Sequence, residues 1–364
     1  MKEREIMKKQ IAAIAIGMAM VTGMLSGCSG SDQGQTTKAA ETTAKAAADT
    51  SKAEGTDTAD TEAAGVDAYS VGGNLTLGTA SSTGTFYYVG AAIGNAVSNA
   101  GKLNVLVQST NGSNENVAMC QTGDIDIGMG NCDSLYAAHN GEMSYKDAGA
   151  QDILEVASLY NSQLHVFVNE KSGITDISQL KGKKVCVGSQ GTSYLFINEA
   201  LMAAYGISID DIEPFYMDYA ESAQALADGD IDAAFQTGGY PIAGIQQSAA
   251  TTSFRMLPVD DALMDNIIKE YPFIIKTTIP AGIYENQANT EEVETLGYQT
   301  CLFASSKADE DQIYAFVKLM METLDTYKDT NDATRQISKE TIATPYIPFH
   351  PGAERYYREA GILK

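Results

Sequence analysis

Apolar residues fall along the chain in three regimes. Ile11 to Leu25 is an uncharged, mostly apolar stretch, and Ser29 to Gly65 contains no Val, Ile, Leu, Met or aromatic residue. From about Val71 onward, apolar and polar positions alternate with regular periods. There the run LTLGTASSTGTFYYVGAAIGNAV, Leu75 to Val97, predicts a strand, a loop of Gly, Ser and Thr, and then a helix. KVCVGSQGTSYLFINEAL, Lys184 to Leu201, predicts the same succession, with Gly84-Thr85 matched by Gly191-Thr192 at an offset of 107. A second pair, QTGDIDIGMGN (Gln121 to Asn131) and ADGDIDAAFQTGG (Ala227 to Gly239), sets Asp124 against Asp230 at an offset of 106.

Two correspondences at nearly one offset imply a repeated unit. Each half reads strand, Gly-rich loop, helix, strand, helix, then a Gly that ends the helix and a short strand. Gly123 and Gly229 suit the left-handed position after a helix, and Ile125-Asp126-Ile127 and Ile231-Asp232-Ala233 start the next strand. Strands alternating with helices predict crossover units on a mainly parallel sheet, so the fold class is α/β with two lobes of similar topology. A ligand would sit between facing lobes, beyond the carboxyl ends of the strands. Residues 71–164 are assigned to lobe 1 and 165–276 to lobe 2, with 277–364 returning to lobe 1 and ending in helices. Ile153 to Asn169 reads as consecutive apolar strands crossing between lobes, and the return is expected near Ile275 to Tyr284. Two such connections predict a hinge.

The first two regimes set the location. Met1 to Gln10 has net charge +2, the apolar stretch after it is shorter than a comfortable membrane span, and it ends Leu25-Ser26-Gly27-Cys28. That ending resembles the lipobox of bacterial lipoproteins, which implies a signal peptide over 1–27 and lipidation of Cys28. An ordinary secretory signal with a chance Cys is the alternative. Residues 28–70 would then be a lipidated Cys and a disordered polar tether, since the stretch buries too little apolar surface to offset its ordering entropy. The layout predicts a chain lipid-anchored on the outer face of the cytoplasmic membrane.

Charge narrows the partners. The chain has 47 acidic and 24 basic residues, and removing four basic and two acidic groups with the leader moves the net charge from -23 to -25. Such a field repels nucleic acid. Both repeated loops, in contrast, suit anion capture: a Gly-rich turn feeding a helix N-terminus presents unpaired N–H groups, and Ser82, Thr83, Thr85, Thr192 and Ser193 add hydroxyls. The alternative for any one loop is that these residues only cap its helix.

A family resemblance follows from the motifs. Gly84-Thr85-Phe86-Tyr87-Tyr88-Val89-Gly90 is similar to the Gly-Thr-Tyr-Tyr-Pro-Leu-Gly signature of the TAXI family, the solute receptors of one class of TRAP transporters. Thr110-Asn111-Gly112-Ser113-Asn114-Glu115-Asn116 resembles its Thr-Gly-Gly-Ser-Val-Glu-Asn, Gly188-Ser189-Gln190-Gly191-Thr192 its Gly-Ser-Gly-Thr loop, and Gly238-Gly239-Tyr240-Pro241 its Gly-x-Pro turn. Gly130-Asn131-Cys132-Asp133 stands where the family tends to have Gln-Ser-Asp. The resemblance runs from about Asn74 to the C-terminus. It implies a type II periplasmic-binding-protein fold, closing on a small organic acid or amino acid, glutamate- or 2-oxoglutarate-like, for delivery to a TRAP permease. It adds Tyr87, Asn111, Ser113, Asn116, Asn131, Gln190, Gln236 and Tyr240 to the expected ligand-binding residues. Tyr88 departs from the family's Pro, Asn111 from a Gly and Asn114 from an apolar residue, and Gln190 is inserted within a loop. The same fold serving an ABC importer or a ligand sensor is the alternative.

Other chemistry finds little support. After the leader, Arg occurs only at 255, 335, 355 and 358, outside the loop motifs, so no guanidinium clamp is expected. Ser178-Gln179-Leu180-Lys181 matches a Ser-x-x-Lys pattern but reads as a capped helical turn, with no Lys-Thr-Gly or Ser-Asp-Asn following. Asp228-Gly229-Asp230-Ile231-Asp232 starts like a calcium loop, yet Ala233 holds the position requiring Gly and Gly239 that of the bidentate Glu. His139, His165 and His350 lack metal-ligand spacing. The chain is thus expected to be a monomeric, non-enzymatic binding protein without cofactor or metal. Cys120, Cys132, Cys186 and Cys301 can pair in three ways, but their apolar settings favour buried free thiols.

Overall fold

The computed structural model describes residues 66–190 and 192–364. The expected leader, Cys28 and the polar stretch to Gly65 lie outside the described residues. From the N-terminal side come β1 (Gly72–Gly78), α1 (Thr85–Ala100), β2 (Lys102–Gln108), α2 (Ser113–Thr122), β3 (Ile127–Asn131), α3 (Cys132–Asn140) and the long β4 (Ile153–Asn169). The middle of the chain gives β5 (Lys184–Cys186), α4 (Leu195–Ala204), β6 (Glu213–Phe215), α5 (Tyr219–Asp228), β7 (Ala233–Gly238), α6 (Ala243–Ala249), β8 (Phe254–Met256), α7 (Asp261–Glu270) and β9 (Ile275–Ile279). It closes with β10 (Val293–Ser305), α8 (Glu310–Glu322), α9 (Asp332–Arg335) and α10 (Pro351–Glu359).

The strands form one sheet in the order β2-β1-β3-β10-β4-β7-β5-β6, and the repeat is visible in it. β1 pairs parallel with β2 and β3, just as β5 pairs parallel with β6 and β7. An antiparallel strand then joins each trio, β10 beside β3 and β4 beside β7. Gly123 (φ 78) and Gly229 (φ 83) end α2 and α5 in the left-handed conformation, as the repeat predicts. The Asp126 carboxylate accepts from Thr76 N at 2.7 Å and that of Asp232 from Lys184 N at 2.9 Å, equivalent clips at the start of the two crossovers. This is a two-lobed α/β fold of the type II periplasmic-binding-protein class.

Lobe 1 is built on both faces of its sheet. Val89, Ile93 and Val97 of α1 are fully buried with Leu75, Leu77 and residues of α8 and α10. Each such side chain contributes roughly 1.5–3 kcal/mol. Gly90 and Gly94 let the helix settle: a Cβ at either would come within 2.6 Å of Thr79 Cγ2 and 2.7 Å of Val107 Cγ2 respectively. On the opposite face, Gly128 and Gly130 make room for the Phe303 ring under α2 and α3.

Three expectations change. Ile153 to Asn169 is one strand of 17 residues rather than consecutive strands, pairing with β10 in its first half and with β7 in its second. The return to lobe 1 is carried by β10, later in the chain than the expected Ile275 to Tyr284. Tyr284 and Val293 still pack in the core that holds Phe235 and Phe254, and Tyr284 Oη accepts from Ile242 N at 2.9 Å. Finally, 66–70 are not all tether. Ala68 is buried against lobe 1, and Tyr69 donates to Glu322 on α8 at 2.7 Å. The Ser178 segment is a capped turn, as expected, with Asp176 accepting from Ser178 N at 2.8 Å and Gln179 completing the capping box. All four described cysteines are free and buried.

Candidate ligand cleft

Five helices begin at one place. The N-cap residues of α1 to α5, Gly84, Gly112, Asn131, Tyr194 and Asp218, all line a single cavity of ≈ 190 Å³ between the lobes. Four of them have no side chain capping the first turn; only α5 does, through Asp218, which accepts from Glu221 N at 2.9 Å. Sequence explains the bare starts. Gly112 has φ 101, where a side chain is strained, and a Cβ on Gly84 would lie 3.2 Å from Ser81 O. Each bare terminus carries about half a positive charge and unpaired N–H groups.

Hydroxyl and amide groups fill the wall between these termini: Ser81, Ser82, Thr85, Ser109, Thr110, Asn111 and Ser113 from lobe 1, and Ser189, Thr192, Ser193 and Thr237 from lobe 2. No Lys, Arg or His is among the described lining residues, and Asp218 is the one charged group there. The four expected arginines are engaged elsewhere, Arg255 with Glu170, Arg335 with Asp332, Arg355 with Glu310 and Asp311, and Arg358 with Glu354. Burial raises the Tyr194 phenol to about 12 and that of Tyr219 well above its ordinary value, so both remain neutral.

The lobes touch across the cavity. Thr85 Oγ1 donates to Gly239 O at 2.5 Å, Gly244 N to Thr83 O at 3.2 Å, and Ser193 Oγ to Ser113 Oγ at 3.3 Å. Residues 77–361 match the NMT1-like family. The chain belongs to the NMT1-like family. Among solved structures, this NMT1-like protein is similar to the alkanesulfonate-binding protein SsuA from Xanthomonas axonopodis pv. citri bound to MOPS, with 19% identity, 78% of this chain and 83% of that one covered, and TM-score 0.46. It is also similar to a structure described as a periplasmic transporter, with 13% identity, coverage of 79% and 92%, and TM-score 0.49. The periplasmic aliphatic sulphonate binding protein SsuA from Escherichia coli follows at 15% identity, 78% of each chain and TM-score 0.42. Likeness this distant leaves function to the site itself.

The NMT1-like chain brings together Ser82, Thr85, Asn111, Ser113, Asn131, Thr192 and Ser193 of the residues expected at the ligand. The others lie outside the cavity lining. Asn116 is fully buried as a strand clip, Nδ2 donating to Thr79 O at 2.7 Å and Met129 O at 2.8 Å. Gln236 does similar work in lobe 2, donating to Tyr219 O at 2.9 Å and Ser222 Oγ at 3.0 Å. Thr83 faces α6 through its carbonyl, Tyr87 and Tyr240 are half-buried away from the lining, and Gln190 is exposed. Thr85 and Thr192 also place their hydroxyls differently from the expected ligand role: Thr85 latches the lobes, and Thr192 closes its own loop on Ser189 O at 2.8 Å.

Sequence reading missed Tyr194, Asp218, Tyr219 and Thr237. Asp218-Tyr219-Ala220-Glu221 carries the capping-box signature that marks a helix start. The signal for a helix N-terminus was there; its direction toward the other lobe was not.

Proposed function

We propose that this NMT1-like protein is the extracytoplasmic solute-binding subunit of a membrane importer, capturing a small organic acid or amino acid by lobe closure and catalysing no reaction. The observation that carries the reading is the convergence of four uncapped helix N-termini, from both lobes, on one cavity with no basic side chain among its described lining residues. Carboxylate binding there draws on N–H groups and hydroxyls instead of a guanidinium. The cavity is small beside the ~300–1,000 Å³ typical of drug-sized ligands, which favours a metabolite of few atoms. The TAXI-like motifs support a TRAP permease as partner and the lipobox-like ending supports a lipid anchor at Cys28.

A thermal-shift screen across organic and amino acids, followed by calorimetric titration, tests the reading. Binding to the native state raises the melting temperature, and closure contracts the radius of gyration in small-angle scattering. No shift with any acid would overturn it. Co-purification with the permease or ATPase encoded beside it decides between a TRAP and an ABC partner. Replacing Cys28 with Ser should release the protein from the membrane fraction.

A further inference from the structure

The two walls of the cavity differ in their charged groups. Lobe 1 presents the bare N-termini of α1, α2 and α3, which donate. Lobe 2 presents the bare N-terminus of α4 and, at the start of α5, the exposed carboxylate of Asp218, the one charged group among the described lining residues. The capping box fixes Asp218: Oδ1 accepts from Glu221 N at 2.9 Å, Asp218 N donates to Glu221 Oε2 at 3.3 Å, and Oδ2 takes no hydrogen bond among the described residues.

An anion receptor has no use for a carboxylate at this position. A carboxylate on this wall repels an anionic ligand, whereas Asn or Ser would cap the helix equally well without that repulsion. We infer that the ligand carries a protonated amine, held by Asp218 Oδ2, while its carboxylate meets the helix N-termini of lobe 1. The inference rests on the receptor reading above and narrows its substrate class to a zwitterion, an amino acid rather than the matching oxo acid.

Titration of the full secreted chain with matched pairs tests it: L-glutamate against 2-oxoglutarate, L-alanine against pyruvate, and L-leucine against 4-methyl-2-oxopentanoate. At least one amino member should bind tenfold or more tightly than its oxo partner. Asp218→Asn, which keeps a capping side chain, should erase most of that preference by weakening the amino member alone, with the unfolding midpoint nearly unchanged. Equal or tighter binding of the oxo members would overturn the amine while leaving a receptor for acids. An unchanged preference in Asp218→Asn would make Asp218 a helix cap only and overturn its assignment. Binding of no member of any pair would remove both the receptor reading and the amine.

Discussion

Lobe 1 and lobe 2 share a strand order yet meet the cavity in different ways. Lobe 1 contributes three uncapped helix starts and is secured from behind by the C-terminal chain. Fully buried Glu155 on β4 accepts from Tyr346 N at 2.7 Å and Ser158 Oγ at 2.7 Å, and its own backbone takes part in bonds to Pro348 and His350. In lobe 2, the second half of β4 instead holds His165, with Nδ1 2.9 Å from Gln163 O and Nε2 3.0 Å from Tyr284 Oη. Tyr284 in turn supports Ile242, just after the turn that meets Thr85. Repetition thus fixed the topology, while each lobe acquired its own polar support: a buried acid in one, a buried neutral imidazole in the other.

Removing the strap breaks the contrast most severely. Glu155→Ala leaves the half-buried N–H of Tyr346 and the Ser158 hydroxyl without that partner, and should cost roughly 2–4 kcal/mol in urea unfolding. Hydrogen exchange should speed up over 342–350 and leave β5 to β7 protected; uniform loss would show that the strap serves both lobes.

Next come opposite pH slopes. Burial raises the Asp133 carboxyl of lobe 1 to about 7 from 3.8, so its contribution is fully present below pH 3.8 and is lost as pH rises through 7. Burial lowers His165 to about 4 from 6.5, so its contribution is present above pH 6.5 and is lost as pH falls toward 4. Between pH 4 and 6.5 the two oppose each other. The stability difference between Asp133→Asn and wild type should therefore move in the variant's favour as pH rises from 4 to 7. That for His165→Gln should move in the variant's favour as pH falls from 6.5 to 4. Each change should be on the order of 2 kcal/mol, and a flat difference profile would contradict the assigned protonation state.

The smallest effect concerns the contact between lobes. Thr85→Val removes the bond to Gly239 O, worth about 1 kcal/mol. It should enlarge the radius of gyration and weaken ligand several-fold, with Thr85→Ser restoring both. Thr192→Val, which loses only a bond within its own loop, should leave the radius of gyration unchanged.

The repeat was legible because Gly and Asp at a constant offset mark places where the backbone itself is constrained: Gly123 and Gly229 must adopt positive φ, and Asp126 and Asp232 tie strand to strand. The cavity was legible where a loop announces a helix start, hence Thr85, Ser113 and Ser193. Chemistry alone misled at Asn116 and Gln236, because a buried amide satisfying carbonyls and an amide facing a ligand look alike in sequence. The crossing at β4 also escaped periodicity, since a strand buried on both faces shows no alternation.

β4 and β10 run unbroken through both lobes, and their ladder shifts register between Thr300 and Cys301 and again between Leu302 and Phe303. In mechanical terms the joint is a leaf spring rather than a pin. Opening the cleft must flex two paired strands, and those irregularities are where the pairing yields first. The width of the open mouth is then governed by sheet stiffness far from the ligand, so a substitution in this spine can alter ligand exchange rates without touching the cavity wall.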